Sequence, residues 1–203
     1  MNIQKFIADQ NNWIPIQTCR KFSMLHPETL SLLYHFSANT NGFALEIGPY
    51  IGGSTVAIAS AKTEKKTISI EIGGSYAHPT LPSNDIIADL KKNLTNNNVH
   101  HKVFLLEGDC ASKEMISKAN EIVGNDKIEL LFIDADGHIE RDMQNYGHLL
   151  SKDCILIFDD YKVSEPKSQY INEWIDAALK EKKVEELAVV KWGTWIGKLC
   201  AAS

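Results

Sequence analysis

The chain has 203 residues, of which 44% are hydrophobic and 23% charged, and its formal net charge is −5 at pH 7. This length and apolar content suffice for one sizeable core, so we expect a single domain over 1–203, with a helical segment over 1–40 and a core over 43–199. The charge is spread along the chain, which excludes a nucleic-acid-binding surface built on basic density and favours a small-molecule partner.

Residues 1–20 contain no apolar run of the kind that forms a signal peptide or spans a membrane. We therefore expect a cytoplasmic protein without membrane contact. The four cysteines are far apart and form no C-x-x-C pair, as is typical of reduced thiols. Ahead of the predicted core, an amphipathic helix is expected over 27–36, which carries Leu30, Leu33 and Tyr34 at helical spacing.

From residue 43 onward, short β-rich apolar runs alternate with segments of helical period. This alternation predicts an α/β fold in which crossover helices cover a parallel sheet. The predicted strands are 44–47, 67–70, 103–106, 128–133 and 154–158. The predicted helices cover 54–61 and the periodic apolar positions within 86–94, 115–122, 139–150 and 170–179.

The end of the chain has a different pattern. Two strand-like runs, 187–191 and 195–199, are separated by little more than Gly193 and Thr194, which predicts an antiparallel pair. With these two strands, the prediction is a doubly wound, Rossmann-like, mostly parallel seven-stranded sheet with an antiparallel terminal strand.

A glycine-rich turn joins the first strand to its helix over 45–55. Gly48 and Gly52 or Gly53 leave room for the backbone to pass close to a ligand. The spacing is not the G-x-G-x-x-G of dinucleotide-binding folds, and Glu46 would repel a pyrophosphate but suits a cationic amino acid group.

This turn resembles the first motif of class I S-adenosylmethionine (SAM)-dependent methyltransferases. Two later strand ends agree with the resemblance, because Glu71 stands where such folds bind the ribose hydroxyls and Gly108-Asp109 stands where they border the adenine. The resemblance implies a cofactor site that consists of Glu46, Gly48, Tyr50, Gly52, Gly53, Ser54, Glu71, Gly108, Asp109 and Asp134. Taken alone, Glu46 or Glu71 could also be a surface carboxylate, and Asp109 could be the N-cap of the helix that starts near Ser112.

Paired acids follow the fourth and fifth strands, Asp134 with Asp136 and Asp159 with Asp160. As neighbours roughly 4.8 Å apart, these strands would bring their carboxylates together, where a cation or protons must offset the repulsion. Hard oxygen ligands suit Mg²⁺, Ca²⁺ or Mn²⁺, and such an ion could lower the pKa of a substrate hydroxyl for O-methylation. Asp136 could instead cap the next helix.

The pairs resemble the metal-dependent O-methyltransferases of the catechol and caffeoyl-coenzyme A type, which implies that Asp134, Asp159 and Asp160 are metal ligands. Those enzymes commonly carry a lysine, the usual candidate for the general base, where this chain has Gly137. His138 is the nearest substitute, with an unperturbed pKa of about 6.5, although a histidine at a helix start is also often a surface residue.

A broader group, containing macrolide sugar O-methyltransferases and cephalosporin-hydroxylase-like proteins, is similar over roughly 43–199. Its members have an Asp-x-Asp and a histidine ahead of a second acidic strand end.

We therefore expect an enzyme that methylates an oxygen of a small molecule, with SAM and a divalent cation such as Mg²⁺ as cofactors. The alternatives are a metal-independent methyltransferase of the same fold and a non-catalytic SAM-binding protein. Lys162 and Lys167 could select an anionic acceptor, and Trp192 and Trp195 could line an acceptor pocket or form a homodimer contact.

Overall fold

The computed structural model describes residues 2–200, and seven strands in this part of the chain form one sheet of order β3-β2-β1-β4-β5-β7-β6. The strands are β1 (Phe43–Ile47), β2 (Thr67–Glu71), β3 (Val103–Glu107), β4 (Ile128–Ile133), β5 (Leu150–Phe158), β6 (Val184–Val190) and β7 (Thr194–Leu199). Strands β1 to β5 pair in parallel, and β7 runs antiparallel to both β5 and β6. The predicted fold class, including the antiparallel terminal strand, is confirmed.

Seven α-helices connect or precede the strands within the described residues. They are α1 (Ile3–Ala8), α2 (Pro27–Ala38), α3 (Gly53–Ser60), α4 (Ile86–Asn96), α5 (Lys113–Val123), α6 (Ile139–Tyr146) and α7 (Ser168–Lys180). The predicted N-terminal helical segment is present as α1, two 3₁₀ helices over Gln10–Ile16 and Cys19–Phe22, and α2. No helix between residues 2 and 200 is both long and apolar enough to span a membrane.

Several helices begin at residues whose side chains accept hydrogen bonds from free backbone N–H groups. Asp85 accepts from Ala88 N at the start of α4, and Ser112 accepts from Met115 N at the start of α5. Such caps stabilise a helix end because the first N–H groups of a helix have no partner within the helix.

Alternate residues of the central strands enter the cores on the two faces of the sheet. In β4, Leu131 and Ile133 pack on the α5, α6 and α7 side, whereas Leu130 and Phe132 pack on the α1, α2 and α3 side. All four side chains are buried, since helices cover both faces of the sheet.

Three predicted boundaries are wrong by three residues or more. The apolar period from Ile139 predicts a helix that reaches Leu150, but α6 ends at Tyr146 and a 3₁₀ turn follows over Gly147–Leu149. Strand β5 therefore begins at Leu150 rather than at 154. Strand β6 begins at Val184 rather than at 187, because it lies at the sheet edge and its outer residues can be polar.

The burial of the central strands predicts a difference between two leucine truncations. Leu131→Ala, in β4 where the side chain is 1% exposed, should lower the free energy of unfolding by about 2–5 kcal/mol, since it leaves a cavity. The control Leu187→Ala, in edge strand β6 where the side chain is 36% exposed, should cost about 1 kcal/mol or less. Urea denaturation measures both values, and equal costs would contradict the layered core described here.

Candidate functional site

A cleft of about 530 Å³ opens at the C-terminal ends of β1 to β4. It lies where the strand order reverses between β1 and β4, the position at which open α/β sheets bind ligands. Its walls include the predicted cofactor residues Gly48, Tyr50, Glu71, Gly108, Asp109 and Asp134.

The glycine turn packs tightly against the end of β4. Gly48 has a φ of +85°, and a Cβ atom there would lie 2.0 Å from the backbone oxygen of Asp134. Only glycine fits this position without moving the neighbouring strand end. The other small residues of the turn, Gly52, Gly53 and Ser54, are buried around the start of α3 and do not line the cleft.

Glu46 lies beneath this turn with its side chain completely buried. Its Oε2 atom accepts hydrogen bonds from Thr55 Oγ1 at 2.7 Å and from Ser69 Oγ at 2.5 Å, so the carboxylate ties β1 to α3 and β2. Burial raises the pKa of Glu46, an effect that the hydroxyl of nearby Ser54 partly offsets. The sequence predicted a direct cofactor contact, but Glu46 is not part of the cleft wall.

The second carboxylate oxygen of Glu46, Oε1, is buried and accepts no hydrogen bond within residues 2–200. Buried polar atoms are almost always paired, because an unpaired one retains the cost of losing its water.

Glu71 fixes the turn from the neighbouring strand and also faces the cleft. Its Oε2 accepts from Tyr50 N at 3.0 Å, and its Oε1 accepts from Gly73 N at 2.9 Å. Burial raises the pKa of Glu71, and these backbone hydrogen bonds oppose the shift. Each oxygen of a carboxylate can accept a further hydrogen bond, so Glu71 can also bind a ligand hydroxyl.

Asp109 follows β3 and lines the cleft. Its Oδ1 accepts from Ala111 N at 2.8 Å, while Ser112 is the N-cap of α5. The alternative interpretation of Asp109 as that N-cap is therefore wrong, and Asp109 stays free to border a ligand on the cleft wall.

Three carboxylates meet beside the cleft, as the sequence predicted. Asp134, Asp159 and Asp160 each offer one oxygen, and the three atoms lie within 4.8 Å of one another. Burial and the charge of Asp134 raise the pKa of Asp159 to about 7. Asp134 belongs to both features, since it lines the cleft and completes the carboxylate cluster.

A chain of hydroxyl groups, which the sequence analysis missed, holds Asp159 in place. Thr194 Oγ1 donates to Asp159 Oδ1 at 2.5 Å and lies 2.9 Å from Thr29 Oγ1. Thr194 is buried at the start of β7, and Thr29 belongs to α2. The only sequence signal was the turn around Gly193, because an isolated threonine carries no spacing pattern.

The structure places Lys167 among the carboxylates, whereas the sequence analysis predicted that it selects an anionic acceptor. Lys167 Nζ lies 2.5 Å from Asp160 Oδ2 and 3.3 Å from Asp134 Oδ1, and it also donates to Ala135 O at 3.2 Å. Burial alone would lower the pKa of the ammonium group, but the carboxylates of Asp134 and Asp160 outweigh burial and raise it. Lys167 is therefore not available to select an anionic acceptor in this arrangement.

His138 and Asp136 contact residues outside the carboxylate cluster. The His138 ring is exposed and stacks on Tyr170 with ring centroids 4.6 Å apart, in a groove between α6 and α7 that is separate from the cleft. Asp136 lines the cleft but pairs with Arg141, whose Nη1 lies 2.6 Å from Asp136 Oδ2. The sequence analysis predicted a catalytic role for His138, but the chain turns at Gly137 with a φ of +84° and the His138 ring lies outside the cleft.

The chain is similar to known methyltransferases. A family model described as a methyltransferase domain matches residues 45–161. Among solved structures, the O-methyltransferase TomG from Streptomyces achromogenes in complex with SAM is 16% identical with a TM-score of 0.66, and the match covers 96% of this chain and 91% of that chain.

Two further structures give similar values. An O-methyltransferase from Bacillus cereus in complex with S-adenosylhomocysteine (SAH) is 16% identical with a TM-score of 0.65, covering 98% of this chain and 90% of that chain. A methyltransferase from Geobacter sulfurreducens is 18% identical with a TM-score of 0.64, covering 98% and 86%. These likenesses show a shared fold. No curated protein sequence matches the chain.

The contact between Gly137 and the Lys167 backbone gives a stability prediction. A Cβ atom at Gly137 would lie 2.6 Å from the Lys167 carbonyl oxygen, so Gly137→Ala should lower the free energy of unfolding by at least about 1–2 kcal/mol. The control Gly147→Ala has a right-handed φ of −58° and open space around the new methyl group. It should be neutral or stabilise the protein by roughly 0.4–1 kcal/mol. Urea denaturation of the two variants tests this, and a neutral Gly137→Ala would refute the close contact.

Proposed function

This chain belongs to the methyltransferase domain family, and on that premise we propose that it transfers the methyl group of SAM to an oxygen of a small molecule with the help of a divalent cation. The observation that supports this proposal is the double position of Asp134, which lines the cleft and belongs to the carboxylate cluster. A cofactor in the cleft and a cation in the cluster would then lie on the two sides of one carboxylate.

The polar groups of the cleft suit SAM. Glu71 presents a fixed carboxylate that can accept hydrogen bonds from ribose hydroxyls, and its orientation is set by Tyr50 N and Gly73 N. SAM supplies a methyl group bonded to a positively charged sulfur, so a wall of carboxylates favours its binding.

The donor set of the cluster suits a hard divalent cation. Asp134, Asp159 and Asp160 offer carboxylate oxygens, which Mg²⁺ and Mn²⁺ prefer. When all three carboxylates are ionised, they carry three negative charges, of which one divalent cation neutralises two. A bound divalent cation would lower the pKa of an acceptor hydroxyl and hold its oxygen.

The residues of this chain would contribute mainly by orientation. Thr194 holds Asp159, Glu71 and the glycine turn hold the cofactor, and Asp134 separates the two positions. Methyl transfer is an in-line displacement, so a fixed distance and angle between the acceptor oxygen and the methyl carbon account for much of the rate. His138 would not act as the base in this reaction, because its ring would first have to leave Tyr170 and turn toward the cleft.

The proposed acceptor is a small molecule that enters over the cleft, whose size is in the range of ordinary ligand pockets. Of the two tryptophans predicted to contact an acceptor or a second subunit, Trp195 is completely buried and Trp192 is 65% exposed. Of these two tryptophans, Trp192 is therefore the one that can contact an acceptor or a second subunit.

A metal-independent methyltransferase is a second candidate function. The observation in its favour is the ammonium of Lys167, which already lies between Asp134 and Asp160. In that case the lysine, rather than an ion from solution, would neutralise part of the cluster.

The role proposed for Glu71 can be tested by calorimetric titration of SAH. Glu71→Gln should weaken binding by about 10–100-fold, because hydrogen bonds to a charged acceptor are worth roughly 1.5–3 kcal/mol. The matched control is Glu107→Gln, since Glu107 is the register partner of Glu71 on β3 but is exposed and pairs with Lys91. Unchanged affinity in Glu71→Gln, with an unfolding curve like that of the wild type, would refute the ribose contact.

The proposed reaction and its metal can be tested together. Transfer of a labelled methyl group from SAM to a panel of hydroxylated small molecules should require Mg²⁺, and Asp159→Asn should raise the Mg²⁺ concentration for half-maximal rate by roughly 10-fold or more, since a charged ligand is lost. The control Asp153→Asn changes an exposed aspartate of β5 outside the cluster and should leave this concentration unchanged.

Each other outcome of that assay has a definite meaning. Transfer that persists in EDTA would favour the metal-independent enzyme. SAH binding without transfer to any acceptor of the panel would favour the non-catalytic SAM-binding protein, and absence of SAH binding would refute the proposed function as a whole.

A further inference from the structure

The carboxylate cluster already holds a positive charge that belongs to the chain itself. Lys167 Nζ lies 2.5 Å from Asp160 Oδ2 and 3.3 Å from Asp134 Oδ1. It therefore lies at the oxygens that would ligate a divalent cation. This arrangement is not a surface ion pair, because the side chains of Asp134 and Asp160 are only 23% and 16% exposed.

The backbone of Lys167 is fixed where it can reach the cluster. Lys167 directly precedes α7, and its carbonyl oxygen packs against Gly137 so closely that no side chain fits at position 137. A lysine at 137, the residue type that the resembling enzymes commonly carry there, would collide with this backbone. In this chain, the lysine that reaches the cluster therefore comes from the start of α7 rather than from position 137.

The side chain of Lys167, in contrast to its backbone, has room to move. It is 28% exposed and lines the open cleft, so the ammonium can reach solvent by rotation about its own carbon–carbon bonds. Lysine has a flexible four-carbon stem and a strongly hydrated head group, which makes such a departure feasible.

A divalent cation and the ammonium group compete for the same oxygens. Mg²⁺ and Ca²⁺ bind carboxylate oxygens at about 2.0–2.6 Å, which is the space that Nζ now occupies beside Asp160. Two cations at this separation repel each other, and the repulsion is strong at a partly buried site. The oxygens of Asp134 and Asp160 can therefore serve one of the two cations at a time.

We propose that Lys167 is a tethered counter-ion that occupies the cation position of the Asp134, Asp159 and Asp160 cluster in the metal-free protein and moves into the cleft when a divalent cation binds. This inference rests on the metal site of the proposed function. The lysine keeps the metal-free cluster assembled and at the same time weakens the apparent affinity for the metal, because the ion binds only the fraction of molecules in which the ammonium has left.

The test is a titration of the full chain with Mn²⁺, in which electron paramagnetic resonance measures the concentration of the free ion at each step. Lys167→Met removes the charge but keeps the length of the side chain, and it should bind Mn²⁺ about 10-fold more tightly than the wild type if the site is free of the ammonium roughly one tenth of the time. Lys167→Gln is a second neutral variant in case the first one misfolds. The matched control is Lys180→Met, because Lys180 is exposed at the other end of α7 and forms no ion pair within the described residues.

The outcomes separate this inference from the proposed function when SAH binding is measured on the same samples. Tighter Mn²⁺ binding in Lys167→Met and Lys167→Gln, with no change in Lys180→Met, supports the tethered counter-ion even if SAH fails to bind. Equal or weaker Mn²⁺ binding in both folded Lys167 variants overturns it, while SAH binding would leave the methyltransferase proposal standing. Absence of Mn²⁺ binding in every variant overturns the inference together with the metal part of that proposal.

Discussion

Repulsion among carboxylates is the constraint on which the candidate site depends. The C-terminal ends of parallel strands lie at one edge of the sheet, and here aspartates directly follow both β4 and β5. The fold offsets the repulsion with neighbouring donors and a cation, since Thr194 donates to Asp159 and Lys167 pairs with Asp134 and Asp160. The pKa of Asp159 is nevertheless raised to about 7 by burial and by Asp134, so the cluster still favours an added positive charge.

The glycine turn shows a second use of buried carboxylates. Glu46 lies near the C-terminal end of β1 and Glu71 at the C-terminal end of β2, and their carboxylates have different hydrogen-bond partners. Glu46 joins β1 to α3 and β2 through the hydroxyls of Thr55 and Ser69, whereas Glu71 holds two backbone N–H groups of the cleft wall. Fixed groups of this kind keep the cleft shaped before a ligand arrives, which lowers the ordering that binding requires.

Long-range packing decides which polar residues reach the cleft and which do not. Asp134 reaches it because Gly48 lets β1 approach the end of β4 without a side chain in between. His138 does not, because the positive φ of Gly137 turns the chain outward and Tyr170 of α7 receives its ring. His138 is only four residues from Asp134 in the sequence, but the turn at Gly137 separates their side chains in space.

The sequence by itself determined the layered α/β fold, the antiparallel last strand, the glycine turn and the convergence of Asp134, Asp159 and Asp160, because apolar periodicity and the common edge of parallel strands follow from local rules. Only the tertiary structure decided that Lys167 occupies the cluster, that Thr194 holds Asp159 and that His138 faces another groove. These contacts join residues far apart in the chain, and their distances depend on how α2, α7 and β7 pack on the sheet. No spacing in the sequence encodes them.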